Sequence, residues 1–570
     1  MNKIIAPRSS LWAIALTVTT CVAAIAISTG AAAEDADQSA DQTIVAQATT
    51  TPPAPAAAPA ATPPAPDFGS NLFERFFKYE AWEIGKSGPP ADPNAPSSRK
   101  AGWPDAPEST PPMPFTEWPY GGTTTLGDNR PASVDSPLMV AIAPTGLGKW
   151  LSDAHIQAYG WVDVGGNIST NHVSGGNSPA AYDYNPNTAQ LDQAVLYVER
   201  TPDTVQTDHV DWGFRISAIY GENYRYTTSY GVASYQLLKY NKNYGYDFPM
   251  VYGELYVPQI MDGLLIRIGR FISLPDIEAQ LAPNNYMYTH SLTYTYDNYT
   301  NTGIQTTLAV NKNVFLQFGL SVGSDTALSN AGAKLVNLLP GNPLYPGATF
   351  LKDPGAKLSY TGCARFQSNT GKDNIYFCAD AFNNGVYGYN NLQWLGLTYY
   401  HKFNDKWHIS WEGYYIHENN VPNLNDATVY GQYGTVAQII ANGGTPFSPN
   451  NIPFNAPNAA QCKSTTTLTC SSPVYSTVFY LNYSPNFLNN FSLRGEIMDD
   501  QVGQRTGTPN RYFESGIGWQ HWLSPQIELR PEVTYYHAFD HAAFNGNSNL
   551  GIAPDKKDAL IASGDIIMHF

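Results

Sequence analysis

DALIASGDIIMHF, residues 558–570, is the stretch that decides the fold. Counting back by twos from the last residue gives Phe570, Met568, Ile566, Gly564 and Ala562, all apolar or small. The interleaved positions, His569, Ile567, Asp565 and Ser563, are polar apart from Ile567. Alternation with a period of two makes a strand with one apolar and one wet face. A water-soluble sheet gains nothing by ending on an exposed aromatic. The closing strand of a transmembrane barrel does, because its end lies at the interface where aromatic girdles collect.

Composition agrees with that reading. Charged residues make up 14% of the 570 and aromatic residues 13%, yet mean hydropathy is −0.29. Aromatic side chains diluted by polar uncharged ones suit an apolar outside, a wet inside and large loops. The net charge of −16 argues against nucleic acid as a partner and against docking on anionic lipid through a basic patch.

The chain opens with Lys3 and Arg8 before the apolar run LWAIALTVTTCVAAIAISTG and then AAA. This reads as a signal peptide over residues 1–33, carrying Cys21 away with it. No later window approaches the roughly 18 apolar residues of a spanning helix. Residues 34–66 form a Pro/Ala-rich linker. Over 67–85, Phe68, Leu72, Phe73, Phe76 and Phe77 recur at helical spacing and predict a short amphipathic helix. It would pack on the barrel rim, lie at a membrane surface or meet a sister subunit. Prolines punctuate 86–150 so often that an extended segment is expected before a barrel over 151–570.

Within that barrel region strand, short turn, strand and long polar loop repeat. NFSLRGEIMDD (490–500) sets Phe491, Leu493, Gly495 and Ile497 against Ser492, Arg494 and Glu496. QIELRPEVTYYH (526–537) sets Ile527, Leu529, Pro531, Val533 and Tyr535 against Glu528, Arg530, Glu532 and Thr534. Trp212, Trp407, Trp522 and Tyr535, near strand ends on the apolar face, would form the girdles. Short turns at 261–263, 311–313, 404–405, 484–486 and 524–525 alternate with loops at 223–249, 273–302, 324–355, 419–473 and 539–557. The resulting all-β fold is a transmembrane antiparallel barrel of about sixteen strands, with fourteen to eighteen open, enclosing a wet lumen.

Strand parity turns Arg215, Arg267, Arg494 and Arg530 inward, with Glu199, Glu254, Glu412, Glu496, Glu528 and Glu532. These are the candidate pore-lining residues, and their acidic excess favours cations mildly. The loop SLPDIEAQLAPNNYMYTHSLTYTYDNYTNT (273–302) is too apolar for a solvated surface loop, with Ile277, Leu281, Met287, Leu292 and its tyrosines. It is expected to fold into the barrel as a constriction, Asp276 and Glu278 facing Arg267 or Arg215 across the opening. Packing over the mouth or on a neighbour is the other reading.

An even set of four cysteines, Cys363, Cys378, Cys462 and Cys470, suits disulfides in an oxidising compartment. Three connectivities exist, and sequence proximity favours Cys363–Cys378 and Cys462–Cys470. The first pair would bridge two strands near the short-turn rim. Their spacing matches no zinc site, and no metal or other cofactor is expected. Gly319-Leu-Ser321-Val-Gly323 fits G-x-S-x-G, but the strand alternation runs through it, where a nucleophile elbow needs a strand-to-helix turn. An adhesin or receptor acting through its loops, and a barrel-embedded hydrolase, are the other function classes.

The segment from Glu254 to Leu308, through IRIGRF, Glu278, Pro283-Asn284, Tyr288, Ser291 and Thr302-Gly303, resembles the OmpL-like putative beta-barrel porin family. LRGEIMDDQVGQRTG (493–507) followed by LRPEVTYY (529–536) is a second match, and the resemblance covers roughly 150–570. It implies an outer-membrane pore for small hydrophilic solutes or ions in a Gram-negative bacterium, without catalytic residues. It also admits a homotrimer embedded in outer-membrane lipid. The strand ending at Phe570 is similar to the signal read by the barrel-assembly machinery.

Overall fold

The computed structural model describes residues 67–85, Leu126 and 136–570, apart from 181, 230–232, 234–235, 237–242, 273–275, 327–357, 371, 388–390, 405, 434–458, 487 and 548–549. The expected signal peptide, the Pro/Ala linker and most of 86–135 lie outside the described residues.

Sixteen antiparallel strands close into one barrel. In chain order they are β1 (Gln157–Ser169), β2 (Ala189–Arg200), β3 (Asp211–Gly221), β4 (Gly245–Asp247 continued by Val251–Val257), β5 (Leu264–Ile272), β6 (Thr300–Asn311), β7 (Val314–Ser324) and β8 (Ser359–Gln367). Then follow β9 (Asp373–Phe382), β10 (Gln393–Lys402), β11 (Trp407–Pro422), β12 (Thr469–Asn486), β13 (Asn489–Asp500), β14 (Asn510–Ser524), β15 (Ile527–Leu529 continued by Glu532–Ala538) and β16 (Asp558–His569). Each strand pairs with its sequence neighbours, and β16 returns to β1. Both interrupted strands break at a proline, Pro249 and Pro531, which has no N–H to give the ladder. The aligned partner Trp519 still donates to the Pro531 carbonyl, at 3.0 Å.

Closure is made by the ladder of β16 against β1, Ile561–His569 opposite Ser169–Trp161, and Phe570 extends it. His569 faces Trp161 in the β1–β16 register. One step further, Phe570 and Gly160 exchange both backbone hydrogen bonds, at 2.8 and 2.9 Å. A Cβ on Gly160 would come within 2.7 Å of the Phe570 ring and 1.9 Å of the Val195 carbonyl oxygen, so only glycine seats the terminal aromatic here.

The outer face carries Leu493, Ile497, Ile517, Val533, Leu560 and Met568, all exposed. In lipid such an exposed apolar band is the stable arrangement. Trp212, Trp407 and Tyr535 are also exposed, but Trp522 is buried and points into the barrel. The even positions of β14, among them Glu514 and Gln520, face inward, and Trp522 shares their parity. Trp519 is exposed on the outward face of β14.

The region before β1 is not all extended. Helix α1 spans Leu72–Glu83, capped by the Asn71 side chain. Helices α2 (Pro137–Ile142) and α3 (Gly146–Asp153) are capped by Ser136 and Thr145. Proline is tolerated in the first turn of a helix, so Pro137 opens α2 rather than blocking it. Arg75 of α1 donates to the Val140 carbonyl, at 2.9 Å, and Gly85 to that of Leu523, at 2.7 Å. The predicted apolar face of α1 is not packed on the rim: Phe73 and Phe77 stay exposed, and Tyr79 is the buried aromatic.

Removal of Phe570 deletes both bonds to Gly160 and the ring that Gly160 admits. Outer-membrane insertion should fall while export continues, read as loss of the heat-modifiable band from membrane fractions. An unchanged band would contradict this role.

Candidate functional site: a barrel lumen crossed by an inward-folded segment

Residues 276–299 run through the interior of the barrel, and nearly all of them are buried. The segment leaves β5, crosses to the far wall and returns at β6. Its contacts name the wall it reaches. Gln193 of β2 donates to the Gln280 carbonyl (2.8 Å) and accepts from the Ala282 N–H (3.1 Å). Tyr288 donates to Asp192 of β2. Tyr400 of β10 donates to the Asp276 carbonyl, at 3.1 Å. Tyr286 meets Ser410 of β11 at 2.9 Å, and Thr293 meets Ser476 of β12 at 2.6 Å.

Two arginines fix the far side. Arg494 of β13 donates from Nε to Glu514 (2.7 Å) and from its terminal nitrogens to the Thr289 carbonyl (2.5 Å) and hydroxyl (2.9 Å). Its guanidinium lies 3.6 Å from Glu278. Glu278 itself accepts from Tyr480 (2.6 Å), from the Ser291 N–H (2.9 Å) and from the Ser291 hydroxyl. Arg530 of β15 pairs with Asp565 of β16 and donates to the Ala282 carbonyl, at 2.5 Å. Glu532 accepts from the Thr289 N–H, at 3.1 Å. Charge-assisted bonds of this kind are about twice as strong as neutral ones, and here they hold main-chain groups that would otherwise be orphaned.

Glycines on the wall make room for the segment. A Cβ on Gly518 would come 2.8 Å from Met287 Cγ, and one on Gly516 3.0 Å from Met287 Cε. One on Gly165 of β1 would reach the Tyr288 hydroxyl oxygen at 2.3 Å. In the sequence these glycines look like ordinary weak strand positions; only the three-dimensional path of the segment gives them a purpose.

The predicted pore-lining residues fall into two groups. Arg494, Arg530, Glu412, Glu496, Glu528 and Glu532 are almost wholly sealed. Glu412 accepts from the Ile277 N–H at 3.1 Å, and Glu528 from Gln520 at 2.7 Å. On the opposite wall Arg215 pairs with Glu199 and Arg267 with Glu254, each at 2.6 Å. The Arg215 and Arg267 side chains keep 10% and 12% of their surface, against 0% and 1% for Arg494 and Arg530. The Arg267 guanidinium also lies 4.4 Å from the Tyr252 ring centre.

Asp276 and Glu278 therefore do not face Arg215 or Arg267. The segment carries them past the near wall to β10–β13, where Tyr400, Tyr480 and Arg494 receive them. The two near-wall arginines already have carboxylate partners on adjacent strands. Burial, with Glu412, Asp380 and Glu278 nearby, holds the Asp276 carboxyl well above its ordinary range. Sequence reasoning did not find Arg505, in the loop after β13. Its guanidinium donates to the carbonyls of Tyr296 (2.9 Å) and Asp297 (3.3 Å). Its signal was its place in the family-like stretch LRGEIMDDQVGQRTG, which marks no contact to 276–299. Residues such as Gln193 and Asp192, which hold the segment at β2, were equally unmarked.

Cys363 and Cys378 are bonded, as are Cys462 and Cys470. The first pair joins directly opposed positions of β8 and β9. It lies mid-strand and faces inward rather than sitting at the rim, because the ladder continues beyond it to Gln367 and Asn374. Ser321 lies inside β7, whose strand runs on to Ser324, so the G-x-S-x-G match has no strand-to-helix turn.

A closed barrel with an apolar belt, short turns at one end and a charged interior crossed by a long loop defines an outer-membrane porin. The chain belongs to the family described as putative beta-barrel porin-2, OmpL-like, whose model matches residues 155–570. Among solved structures it is similar to an anion-selective porin from Comamonas acidovorans (9% identity, 73% of this chain and 99% of that one, TM-score 0.43). It is also similar to the outer membrane channel DcaP of Acinetobacter baumannii (9% identity, 73% and 97%, TM-score 0.41). OmpT of Vibrio cholerae is another (7% identity, 73% and 97%, TM-score 0.39). No curated protein sequence matches the chain.

Replacing Arg494 by leucine strands Glu278 and Glu514 without their cation. Removing one partner of a buried pair costs about 3–5 kcal/mol. The heat-modifiable transition should drop accordingly, and a loss below about 1 kcal/mol would contradict the assignment of Arg494 as the segment's anchor.

Proposed function

We propose that the protein is a narrow diffusion pore whose open path runs beside β3–β5, between the inward-folded segment and the near wall. The observation that carries this is the division of the lumen charges. The far-wall charges are sealed against the segment, while Arg215, Arg267 and Glu254 keep 10%, 12% and 8% of their side-chain surface and Glu199 lies buried behind Arg215. Solutes passing there meet two guanidiniums, each paired with a carboxylate of the adjacent strand. Opposite charges across a narrow water column orient water and admit small hydrophilic solutes of either sign.

This reading revises the expected cation preference. That expectation rested on the count of lumen carboxylates, several of which are sealed. Each near-wall arginine is neutralised by its carboxylate partner, so the parent pore should discriminate weakly. The long-loop end faces the exterior and the short-turn end the periplasm, following export by the N-terminal signal peptide of a Gram-negative bacterium. The β16 terminus serves the barrel-assembly machinery, and the protein performs no catalysis. The paired acidic and basic groups brace the wall as well as tuning passage.

Planar-bilayer recording with the purified full-length protein tests this. Deleting 276–288 should raise single-channel conductance. Arg267→Gln leaves Glu254 unbalanced and should shift the reversal potential in a salt gradient toward cations. Glu254→Gln should shift it toward anions. A deletion variant that inserts and conducts like the parent would overturn the constriction, and unmoved reversal potentials would overturn the path.

A further inference from the structure

Three carboxylates meet where the segment enters and leaves the lumen. Asp276 stands at its start, Asp297 near its end and Glu412 on β11. All are buried, at 6%, 1% and 1% exposure. One oxygen of each lies within 4.8 Å of the others. Ligands 2.3–2.6 Å from one Ca²⁺ ion stand about 4.6–5.2 Å apart at most, so the three oxygens fit around a single centre.

A second observation separates this group from an ordinary acidic patch. Asp276 Oδ1, Asp297 Oδ1 and Glu412 Oε1 are each sealed from solvent with no hydrogen-bond donor. Buried carboxylate oxygens are normally satisfied, as those of the neighbouring Glu278 are by Tyr480, Ser291 and Arg494. Glu412 uses its other oxygen, Oε2, to accept from the Ile277 N–H. Among the described residues none of the three forms an ion pair. Arg505 reaches this stretch but donates to main-chain carbonyls instead.

We propose that Asp276, Asp297 and Glu412 bind a Ca²⁺ ion that ties both ends of the inward-folded segment to β11. The donor set is all oxygen and all carboxylate, which suits a hard divalent cation. The ion supplies the positive charge that arginine supplies at Glu278 and Asp565. It replaces donors for three orphaned oxygens at once, and it fixes the segment where it meets the wall. The proposal is separate from the solute path, since a pore that conducts as described above without binding Ca²⁺ would sink this inference alone.

Tb³⁺ is the probe, because nearby tyrosines sensitise its luminescence. Tyr400 donates to the Asp276 carbonyl, and Tyr296 and Tyr299 flank Asp297 closely in sequence. Full-length protein in detergent, stripped with EDTA, should give saturable Tb³⁺ luminescence that Ca²⁺ displaces and K⁺ does not. Glu412→Gln and Asp297→Asn should each weaken binding at least tenfold, and the exposed control Asp208→Asn should not. In the parent protein, saturating Ca²⁺ should also raise the unfolding temperature, a readout that needs no variant to fold. Absent saturation, equal binding in both cluster variants, or an unfolding temperature indifferent to Ca²⁺ would overturn the proposal. Three carboxyl groups that merely share protons would give those results.

Discussion

A peptide group left unpaired in hydrocarbon costs several kcal/mol, so a sheet that crosses a membrane must close on itself. Every other feature of this molecule follows from that closure. It requires a last strand whose N–H and C=O groups find the first, and β16 finds β1 through to Phe570 and Gly160. It also requires an outer face that lipid accepts, which fixes the alternation along every strand. With that alternation fixed, each polar side chain of a strand is committed to the interior.

Closing sixteen strands creates a second constraint. Such a barrel is too wide for its own side chains to fill. Here the segment between β5 and β6 enters the space, and its own polar backbone must then be satisfied inside the protein. The wall provides for it with Arg494, Arg530, Glu532, Gln193 and Glu412, which bond the segment's amides and carbonyls. Glycines at 516 and 518 open the wall to Met287. The buried charges of the far wall hold the segment, while Arg215 of β3 and Arg267 of β5 keep 10% and 12% of their side-chain surface.

Much of this architecture is legible in the chain. Period-two alternation locates the strands to within a few residues because one face must be apolar everywhere. β5 and β13 fall at the expected bounds, and β15 differs chiefly by its break at Pro531. The inward folding of 273–302 is legible as well, since Met287, Leu292 and the tyrosines have no business in solvent. Other features are not legible, and they share a cause. Parity says which face a residue occupies, not what crosses the lumen to meet it. Hence parity alone sets Asp276 and Glu278 against Arg215 and Arg267, whereas the segment reaches past them to Arg494. Trp522 looked like a girdle residue because bulk and position near a strand end suggested it, while parity with Glu514 turned it inward. Short helices at 137–153 were hidden by prolines that cap as readily as they break.

The constriction and its anchors all depend on the segment's position inside the lumen. Thr293 and Ser476 bring their side-chain oxygens within 2.6 Å across that space. Introducing Thr293→Cys with Ser476→Cys and mapping disulfides by mass spectrometry in protein extracted from outer membranes tests it most directly. The structure predicts a near-quantitative 293–476 crosslink formed alongside 363–378 and 462–470. Well-folded protein with free thiols at both introduced positions would contradict it.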